Sequence, residues 1–371
     1  MSDTYHAWSL ISIFNYAVFT GDAEWVGRHW ANVTRGVQFV LDGIDAESGL
    51  HEQKQPNDWA RQGGGGWNSA LNALDYHALK SLAGLARSFT DDESVHVLAQ
   101  EWDNRAERMK KAFNEILWVE GQNLYRDNQS TTTLFPQDGN ALALLYNLTT
   151  SPAQAEALSN SLTRFWTPLG PVTPELPDTI SPFISSIEVL AHFSTAHPAA
   201  PERAMNLTRT LWGYLLDSPL MTGSTLAEGI SANGSLYYRG NAGYKNDARY
   251  TSLSHGWSTG PTLALSFKVA GLEIVGWKTW VFRPSAVEAL GEVEAGFWSP
   301  MGGFDVQWSV VDEDSRVGFG FEAKFTTPED TSGSVNLPWK CATVLLDGVE
   351  LEPGAEVKGG ATKVLQASSC I

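Results

Sequence analysis

A single glutamate stands among small residues in the stretch GSTLAEG, Gly223–Gly229. The stretch SLSHGWSTGPT follows later in the chain and carries His255 and Trp257. Glu228 is either a solvated loop carboxylate, as most glutamates are, or a general base held beside these two rings. A general base must be within hydrogen-bond reach of the proton that it removes. Glu228 is therefore a candidate catalytic residue, and His255 and Trp257 are candidate ligand-binding residues.

A second polar group comes earlier, in the stretch NDWAR. It places Asp58 and Trp59 before the glycine run Gly63–Gly66 and a helix that opens at Trp67. A carboxylate can accept hydrogen bonds from vicinal sugar hydroxyls while an indole packs on the sugar ring. The alternative is a helix cap beside a core tryptophan. The glycines do not indicate a phosphate loop, because no Lys-Ser/Thr pair follows them.

The stretch FPQDGN offers Gln137, Asp138 and Asn140 as further polar groups. Helix capping by Asp138 is the simpler interpretation, and a structural role is equally open for His255. No His, Cys or Asp cluster has the spacing of a metal site, so we expect no metal and no other cofactor. No G-x-S-x-G elbow is present, which argues against serine hydrolase chemistry.

Composition excludes several partners. The net charge of −17 and the pI near 4.8 disfavour nucleic acid and anionic membrane surfaces, both of which need a basic face. No apolar run is long enough to span a membrane. The contents of 43% hydrophobic and 18% charged residues are typical of a globular protein. Separately, we expect the protein to be a monomer. The 15 tryptophans suit a core, but they also suit the apolar faces of sugar rings.

The first part of the chain, from residue 4 to about 270, has helical periodicity, with broad apolar helices alternating with more polar ones. We predict nine helices. The apolar ones run near Trp8–Val18, Trp67–Arg87, Gly139–Leu148, Pro182–His197 and Ser252–Ala270, and the more polar ones near Trp25–Leu41, Ser94–Leu117, Pro152–Trp166 and Glu202–Leu216.

The links between these helices differ in length. Links that leave an apolar helix are short, whereas those that enter one are long, covering roughly residues 43–66, 118–137, 167–180 and 217–251. Long irregular loops are usually functional. If the apolar helices line a ring in parallel, all four long links meet at one rim. A plain helical solenoid fits less well, because no sequence period repeats.

The pattern of apolar and polar residues changes after about residue 272. Segments such as GGFDVQWSVV and GFGFEAKFTT alternate apolar and polar residues between turns that contain glycine and proline. This pattern predicts an antiparallel β-sandwich of about eight short strands. We place the boundary near Gly271, which gives domains over residues 1–271 and 272–371.

Two features favour a secreted protein. Asn-x-Ser/Thr triplets occur at five positions, namely Asn32, Asn128, Asn147, Asn206 and Asn233. The two cysteines, Cys341 and Cys370, could form one disulfide. The first residues, MSDTYHAWSLISIF, do not form a signal peptide and lead directly into an amphipathic helix. We therefore expect an extracellular glycoprotein whose natural beginning is missing from this chain.

The helical part resembles the (α/α)6 toroid of the six-hairpin glycosidase superfamily, and more narrowly the fungal α-L-rhamnosidase-like proteins of glycoside hydrolase family 78. The resemblance rests on an ordered set of strings. These are DTYHAWSLISIFNYAVFTGDAEW, NDWARQGGGGWNSALNAL, FPQDGNALALLYNL, SPFISSIEVLAHF and STLAEG followed by YTSLSHGWSTGPTLAL. The trailing sandwich matches the module that follows the toroid in that family.

The resemblance implies an inverting hydrolase that releases terminal α-L-rhamnose from glycans or glycosides. Such enzymes use one carboxylic acid and one carboxylate base on opposite sides of the scissile bond. Glu228 lies where family members carry the base, although the tryptophan that usually precedes it is replaced by Ala227. The expected substrate-binding residues are Asp58, Trp59, Arg61, Trp67, Asn68, Asp138, His255 and Trp257.

The resemblance also raises a difficulty. In the family, the general acid precedes the DTYHAW helix, which here opens the chain, and a closed toroid has twelve helices. We therefore expect an incomplete toroid of about nine helices that lacks the acid, so that this chain alone could be inactive. Two alternatives stay open: another six-hairpin activity, such as an uronyl hydrolase or a glucoamylase-like enzyme, and a truncated protein that only binds glycans.

Overall fold

A computed structural model describes residues 2–130, 133–237, 244–245, 247–287, 290–311 and 318–371 of the chain. The chain divides into two compact units. The first contains the residues up to Phe14 together with Gly27–Pro261, and the second contains Asn15–Val26 with Thr262–Ile371. The strands of the second unit begin at Leu272, directly after the predicted boundary.

Helices make up most of the first unit. In chain order they are α1 (Asp3–Thr20), α2 (Ala23–Gly43), α3 (Ser69–Phe89), α4 (Glu93–Leu117), α5 (Gln137–Leu145), α6 (Pro152–Leu162), α7 (Pro182–Phe193), α8 (Ala200–Leu207), α9 (Gly213–Asp217) and α10 (Gly260–Leu263). A π-helical turn, Thr208–Trp212, joins α8 to α9, and another, Ala264–Val269, extends α10. With α8 and α9 counted as one, the described residues contain the nine predicted helices. None of the described helices is long and apolar enough to cross a membrane.

The predicted alternation of inner and outer helices is present. Helix α3 buries 14 of its 21 residues, whereas α4 buries 8 of its 25. Helix α3 packs against α4 and α5, α5 packs against α7, and α7 packs against α8. Side chains fix where the helices begin: Asn68 caps α3 and Ser181 caps α7 by accepting a hydrogen bond from a backbone N–H of the first turn.

Among its described residues, the first unit has three short two-stranded sheets in its long links. They are formed by β1 (Trp118–Val119) with β2 (Leu124–Tyr125), β3 (Trp166–Thr167) with β4 (Gly170–Pro171), and β5 (Thr179–Ile180) with β6 (Ile230–Ser231). The last pair joins two different links. It pairs Thr179 with Ser231 and Ile180 with Ile230.

The described residues of the second unit form ten strands in two sheets. They are β7 (Leu272–Gly276), β8 (Thr279–Phe282), β9 (Glu292–Ser299), β10 (Gly302–Val311), β11 (Phe319–Thr326), β12 (Ser332–Val335), β13 (Thr343–Leu346), β14 (Val349–Glu350), β15 (Val357–Lys358) and β16 (Lys363–Cys370). One sheet has the order β14-β13-β16-β11-β10-β9, and the other has the order β15-β12-β8-β7. The sandwich prediction is confirmed, with ten strands rather than about eight. One pair, β8 with β12, is parallel, so the smaller sheet is mixed.

Strand alternation explains the core of the sandwich. In β10, Phe304, Val306 and Trp308 are buried, whereas Asp305 and Gln307 face outward, as the two-residue period of a strand requires. Aromatic rings from both sheets meet in the interior, where Trp280 and Phe282 lie within 5.5 Å of Phe325 between ring centroids. Cys341 and Cys370 form a disulfide, with their Cα atoms 3.9 Å apart.

Candidate active site

The long links of the first unit contact one another. The N–H of Gln62 donates to the carbonyl of Glu175 at 2.7 Å, and the N–H of Gly64 donates to the Asp127 carboxylate at 2.9 Å. Strands β5 and β6 then join the third link to the fourth. The four links therefore form one continuous group of loops, and within it α3, α5 and α7 begin.

A buried guanidinium connects the first two links. Arg61 forms ion pairs with Asp127 and with Asp138, the latter at 3.1 Å from Nε. The two carboxylates raise the pKa of Arg61 above its ordinary value, despite the opposing effect of burial. Asp127 also accepts a hydrogen bond from Asn68 Nδ2 at 3.0 Å. Arg61 thus fixes the NDWAR segment to the first turn of α5, where Asp138 lies.

Asp138 lies in the first turn of α5 and is not its N-cap, a position that Pro136 occupies. Its carboxylate accepts hydrogen bonds from the Trp59 indole at 3.1 Å and from the Gly139 N–H at 2.6 Å. Burial raises the pKa of this carboxyl, although Arg61 opposes the shift. Asp138 therefore holds Trp59 and Arg61 in place.

Glu175 was not predicted from the sequence, yet it binds the free backbone N–H groups at the start of α5. Its carboxylate accepts hydrogen bonds from the N–H groups of Gln137, at 2.8 Å, and Asp138, at 2.9 Å. Such bonds satisfy backbone donors that a helix terminus leaves open. Burial, followed by the charge of Asp138, raises the pKa of Glu175 to about 8. Its position among prolines in a long link, PVTPELP, was the available signal.

Asp58 differs from these buried carboxylates because it is half-buried. Its Oδ1 accepts a hydrogen bond from the Trp59 N–H at 2.8 Å. Desolvation and then the charge of Asp138 raise the pKa of Asp58 to about 6, against the lowering effects of Arg61 and Thr4. Asp58 is thus a partly accessible carboxyl group beside the buried ion pair of Arg61 and Asp138.

Glu228 is held by its neighbours and is not a solvated loop residue. It is 4% exposed, and the Tyr244 hydroxyl lies 2.8 and 2.9 Å from its two carboxylate oxygens. The N–H of Ser252 approaches Oε2 at 3.3 Å, and the N–H of Glu228 donates to the Ser252 carbonyl at 2.8 Å. A carboxylate offers about four acceptor positions, so these contacts leave capacity for a water or a hydroxyl group.

Aromatic rings surround Glu228 as well. The indole N–H of Trp257 donates to the Glu228 carbonyl at 2.9 Å, and the His255 ring lies 4.3 Å from the Trp257 ring. Phe183, at the start of α7, stacks on Trp257 with a centroid distance of 5.3 Å and an interplanar angle of 13°. His255 and Trp257 are half-buried. The structure therefore brings together the glutamate, the histidine and the tryptophan that the sequence singled out.

Some predicted ligand-binding residues are buried and bind other protein groups. Asn68 is 0% exposed, because it caps α3 and donates to Asp127. Trp59, Arg61 and Asp138 are buried and bind one another. We interpret these four as positioning residues. Trp67 is half-buried, and its N–H donates to Gln129 Oε1 at 2.7 Å.

Asp3, at the start of α1, is bound to the first long link. It is buried, and its Oδ2 accepts the N–H groups of Lys54, at 2.9 Å, and Gln55, at 2.8 Å. Among the described residues, no group of three or more His, Cys, Asp or Glu side chains is arranged to hold a metal ion.

Two family models match the chain. Residues 5–167 match the bacterial alpha-L-rhamnosidase 6 hairpin glycosidase domain, and residues 271–345 match the bacterial alpha-L-rhamnosidase C-terminal domain. Both are domains of α-L-rhamnosidases, and together they support placing the chain in that family. The first match lies within the helical part and covers less than half of the chain. A search of curated proteins found no match.

Solved structures share the fold. A family 78 rhamnosidase from Bacillus sp. GL1 has 20% identity and a TM-score of 0.67, with 91% of this chain and 33% of that chain covered. The α-L-rhamnosidase from Dictyoglumus thermophilum has 15% identity and a TM-score of 0.63, with coverages of 98% and 39%. An α-L-rhamnosidase from Aspergillus terreus has 17% identity and a TM-score of 0.52, with coverages of 90% and 36%. The chain spans between 33% and 39% of the length of these relatives.

Proposed function

We propose that this chain carries the base and the sugar-binding residues of an inverting glycoside hydrolase that releases terminal α-L-rhamnose. The observation that carries the proposal is the fixed position of Glu228 beside His255 and Trp257. The two matching domain models and the names of the structural relatives, which are rhamnosidases, support rhamnose as the sugar.

In this proposal Glu228 removes a proton from a water molecule as the water oxygen attacks the anomeric carbon. The bond from that carbon to the leaving oxygen breaks, and the leaving oxygen takes a proton from a carboxylic acid. Tyr244 and the Ser252 N–H hold the Glu228 carboxylate in place by donating to its oxygens. We assign the role of the acid to none of the described residues.

The other residues orient the sugar. Trp257 offers an indole face, His255 offers a ring nitrogen, and Asp58 accepts hydrogen bonds from hydroxyl groups. The network of Arg61 and Asp138 prevents the Asp58 segment from moving, because both side chains are buried and paired. Fixing the sugar in one orientation lowers the entropic part of the barrier.

A panel of aryl glycosides tests the proposal. We expect hydrolysis of the α-L-rhamnoside in preference to glucosides and uronides, with β-L-rhamnose as the first product seen by NMR. Initial release of α-L-rhamnose would contradict the inverting mechanism. Preference for an uronide would contradict the sugar assignment.

One observation favours a sugar other than rhamnose. Ala227, which replaces the tryptophan usual before the base, is fully buried, and its carbonyl accepts a hydrogen bond from Ser258 Oγ at 2.7 Å. A methyl group thus stands beside Glu228 where the family pattern has an indole, so this wall of the site differs from that pattern. Another six-hairpin activity is therefore the second candidate, and the same panel distinguishes the two.

We also propose that the protein acts outside the cell. Four of the five Asn-x-Ser/Thr acceptors are exposed, and the cysteines are paired, as is typical of oxidising compartments.

A further inference from the structure

The outer face of the six-stranded sheet carries a tryptophan that is almost fully exposed. Trp298, in β9, is 83% exposed. Its neighbour Phe297 points to the opposite face and stacks on Phe304 at 4.8 Å. Strand alternation therefore directs Trp298 outward, at the edge strand of the sheet.

Two glycines make room around this indole. Gly303 pairs with Trp298 across the strands, and a Cβ added there would lie 3.4 Å from Cζ2 of the indole. A Cβ added at Gly296 would lie 2.5 Å from Oδ1 of Asp305. The indole and the Asp305 carboxylate thus both border Gly303, where no side chain separates them.

The same face continues into two adjacent depressions. One has a volume of about 450 Å³ and the other about 290 Å³, and Glu294, Gln307 and Lys324 line both. Gly296 and Asp305 line the smaller one. Trp298 follows Gly296 by two residues on the same face of β9, which corresponds to about 7 Å along a strand. The depressions and the indole form one polar strip, which we call the Trp298 strip.

We propose that the Trp298 strip binds a neutral saccharide chain. One sugar ring packs on the exposed indole, and its hydroxyl groups donate to Asp305 while further hydroxyls bond to Gln307, Glu294 and Lys324. A neutral ligand is favoured because the face carries several carboxylates, namely Glu292, Glu294, Asp305 and Glu322, and one ammonium group, which together repel a polyanion. This site lies in the second unit and does not depend on the chemistry assigned to Glu228.

Native electrophoresis through gels that contain a polysaccharide tests this proposal with the full chain. We expect xyloglucan or galactomannan to slow migration and anionic polygalacturonate to have no effect. Trp298→Ala is expected to weaken the apparent affinity by about tenfold, the loss that corresponds to about 1.4 kcal/mol. Asp305→Ala should also weaken it, and Trp298→Phe should retain part of it.

Val349→Ala is the control, because Val349 is 70% exposed in β14 of the same sheet and lies outside the Trp298 strip. Its migration should equal that of the unaltered chain. If Trp298→Ala lowers the melting temperature, its weaker binding could reflect partial unfolding. The migration of Asp305→Ala then tests the proposal in its place. The proposal is overturned when neither neutral polysaccharide slows the chain, or when both variants migrate as Val349→Ala does. It is also overturned when sedimentation shows that Trp298→Ala only converts a dimer to a monomer.

Discussion

The indole N–H of Trp257 donates to the backbone carbonyl of Glu228 across 2.9 Å. On its other side, the N–H of Glu228 donates to the carbonyl of Ser252 at 2.8 Å. Both backbone groups of Glu228 are thereby fixed by residues that follow it in the chain, namely Ser252 and Trp257. A base fixed in this way keeps its position when the sugar and the water arrive.

The first prediction concerns this hydrogen bond. Trp257→Phe keeps an aromatic ring but removes the donor, and one hydrogen bond contributes about 0.5–1.5 kcal/mol. We expect kcat for an activated rhamnoside to fall roughly three- to tenfold, and the free energy of unfolding to fall by no more than about 1.5 kcal/mol. Trp118→Phe is the control, because its indole donates to Glu120 at 2.6 Å instead. An unchanged kcat in Trp257→Phe would show that the bond does not position the base.

The second prediction concerns Asp58 and pH. Its pKa is about 6 in the folded chain and 3.8 in the reference state, so between these values the folded chain binds more protons than the unfolded one. Stability therefore decreases as the pH rises from about 4 to about 6 and stays lower above that range. Asp58→Asn should raise the free energy of unfolding at pH 7 by on the order of 1–3 kcal/mol, and by little at pH 4.

Urea unfolding at both pH values measures this effect. Asp92→Asn is the control, because hydrogen bonds from Ser94 lower the pKa of that exposed carboxyl, and its loss should decrease stability at pH 7. An equal effect of Asp58→Asn at pH 4 and pH 7 is incompatible with the raised pKa.

The third prediction concerns Arg61. Its removal leaves Asp127 and Asp138 buried without their counter-ion, and breaking such a pair costs about 3–5 kcal/mol. Arg61→Leu should destabilise the chain by that amount in urea unfolding. Arg61→Lys should restore little of the lost stability, because an ammonium group cannot contact both carboxylates as the planar guanidinium does. Arg249→Ala, at an exposed ion pair, should leave stability nearly unchanged. Full stability of Arg61→Lys would argue against the bridging role.

The fourth prediction concerns glycosylation in a eukaryotic secretion host. Asn32, Asn147, Asn206 and Asn233 are exposed and should carry glycans. Asn128 is 7% exposed, and its Nδ2 donates to Asp127 at 3.1 Å, so it should stay unmodified. Peptide mapping after enzymatic deglycosylation in ¹⁸O water identifies each site. A glycan on Asn128 would show that this loop is open when the chain is modified.

Helix alternation and the change to strands could be predicted from the sequence, because both follow from local periodicity. Helix α3 and strand β10 show the period directly. The parallel pairing of β8 with β12 could not be predicted, because about fifty residues separate the two strands and nothing in either one specifies its partner.

The candidate site was predictable only in part. Glu228, His255 and Trp257 stood out by residue type, and the structure places them in contact. Glu175 and Asp127 were missed because their partners are distant in sequence: Glu175 binds the start of α5, 37 residues earlier, and Asp127 binds Arg61, 66 residues earlier. For the same reason, the hydrogen bonds from Asn68 and Arg61 to Asp127 could not be predicted.

The most direct test of the account is the turnover of 2,4-dinitrophenyl α-L-rhamnoside by Glu228→Gln. This leaving group departs with little protonation, so the measurement isolates the base from the acid. We expect a fall of about two to four powers of ten, the usual contribution of a positioned acid or base, with an unchanged melting temperature. Glu202→Gln, in α8, should match the unaltered chain. Measurable turnover that is equal in Glu228→Gln and in the unaltered chain would contradict the assignment of Glu228 as the base.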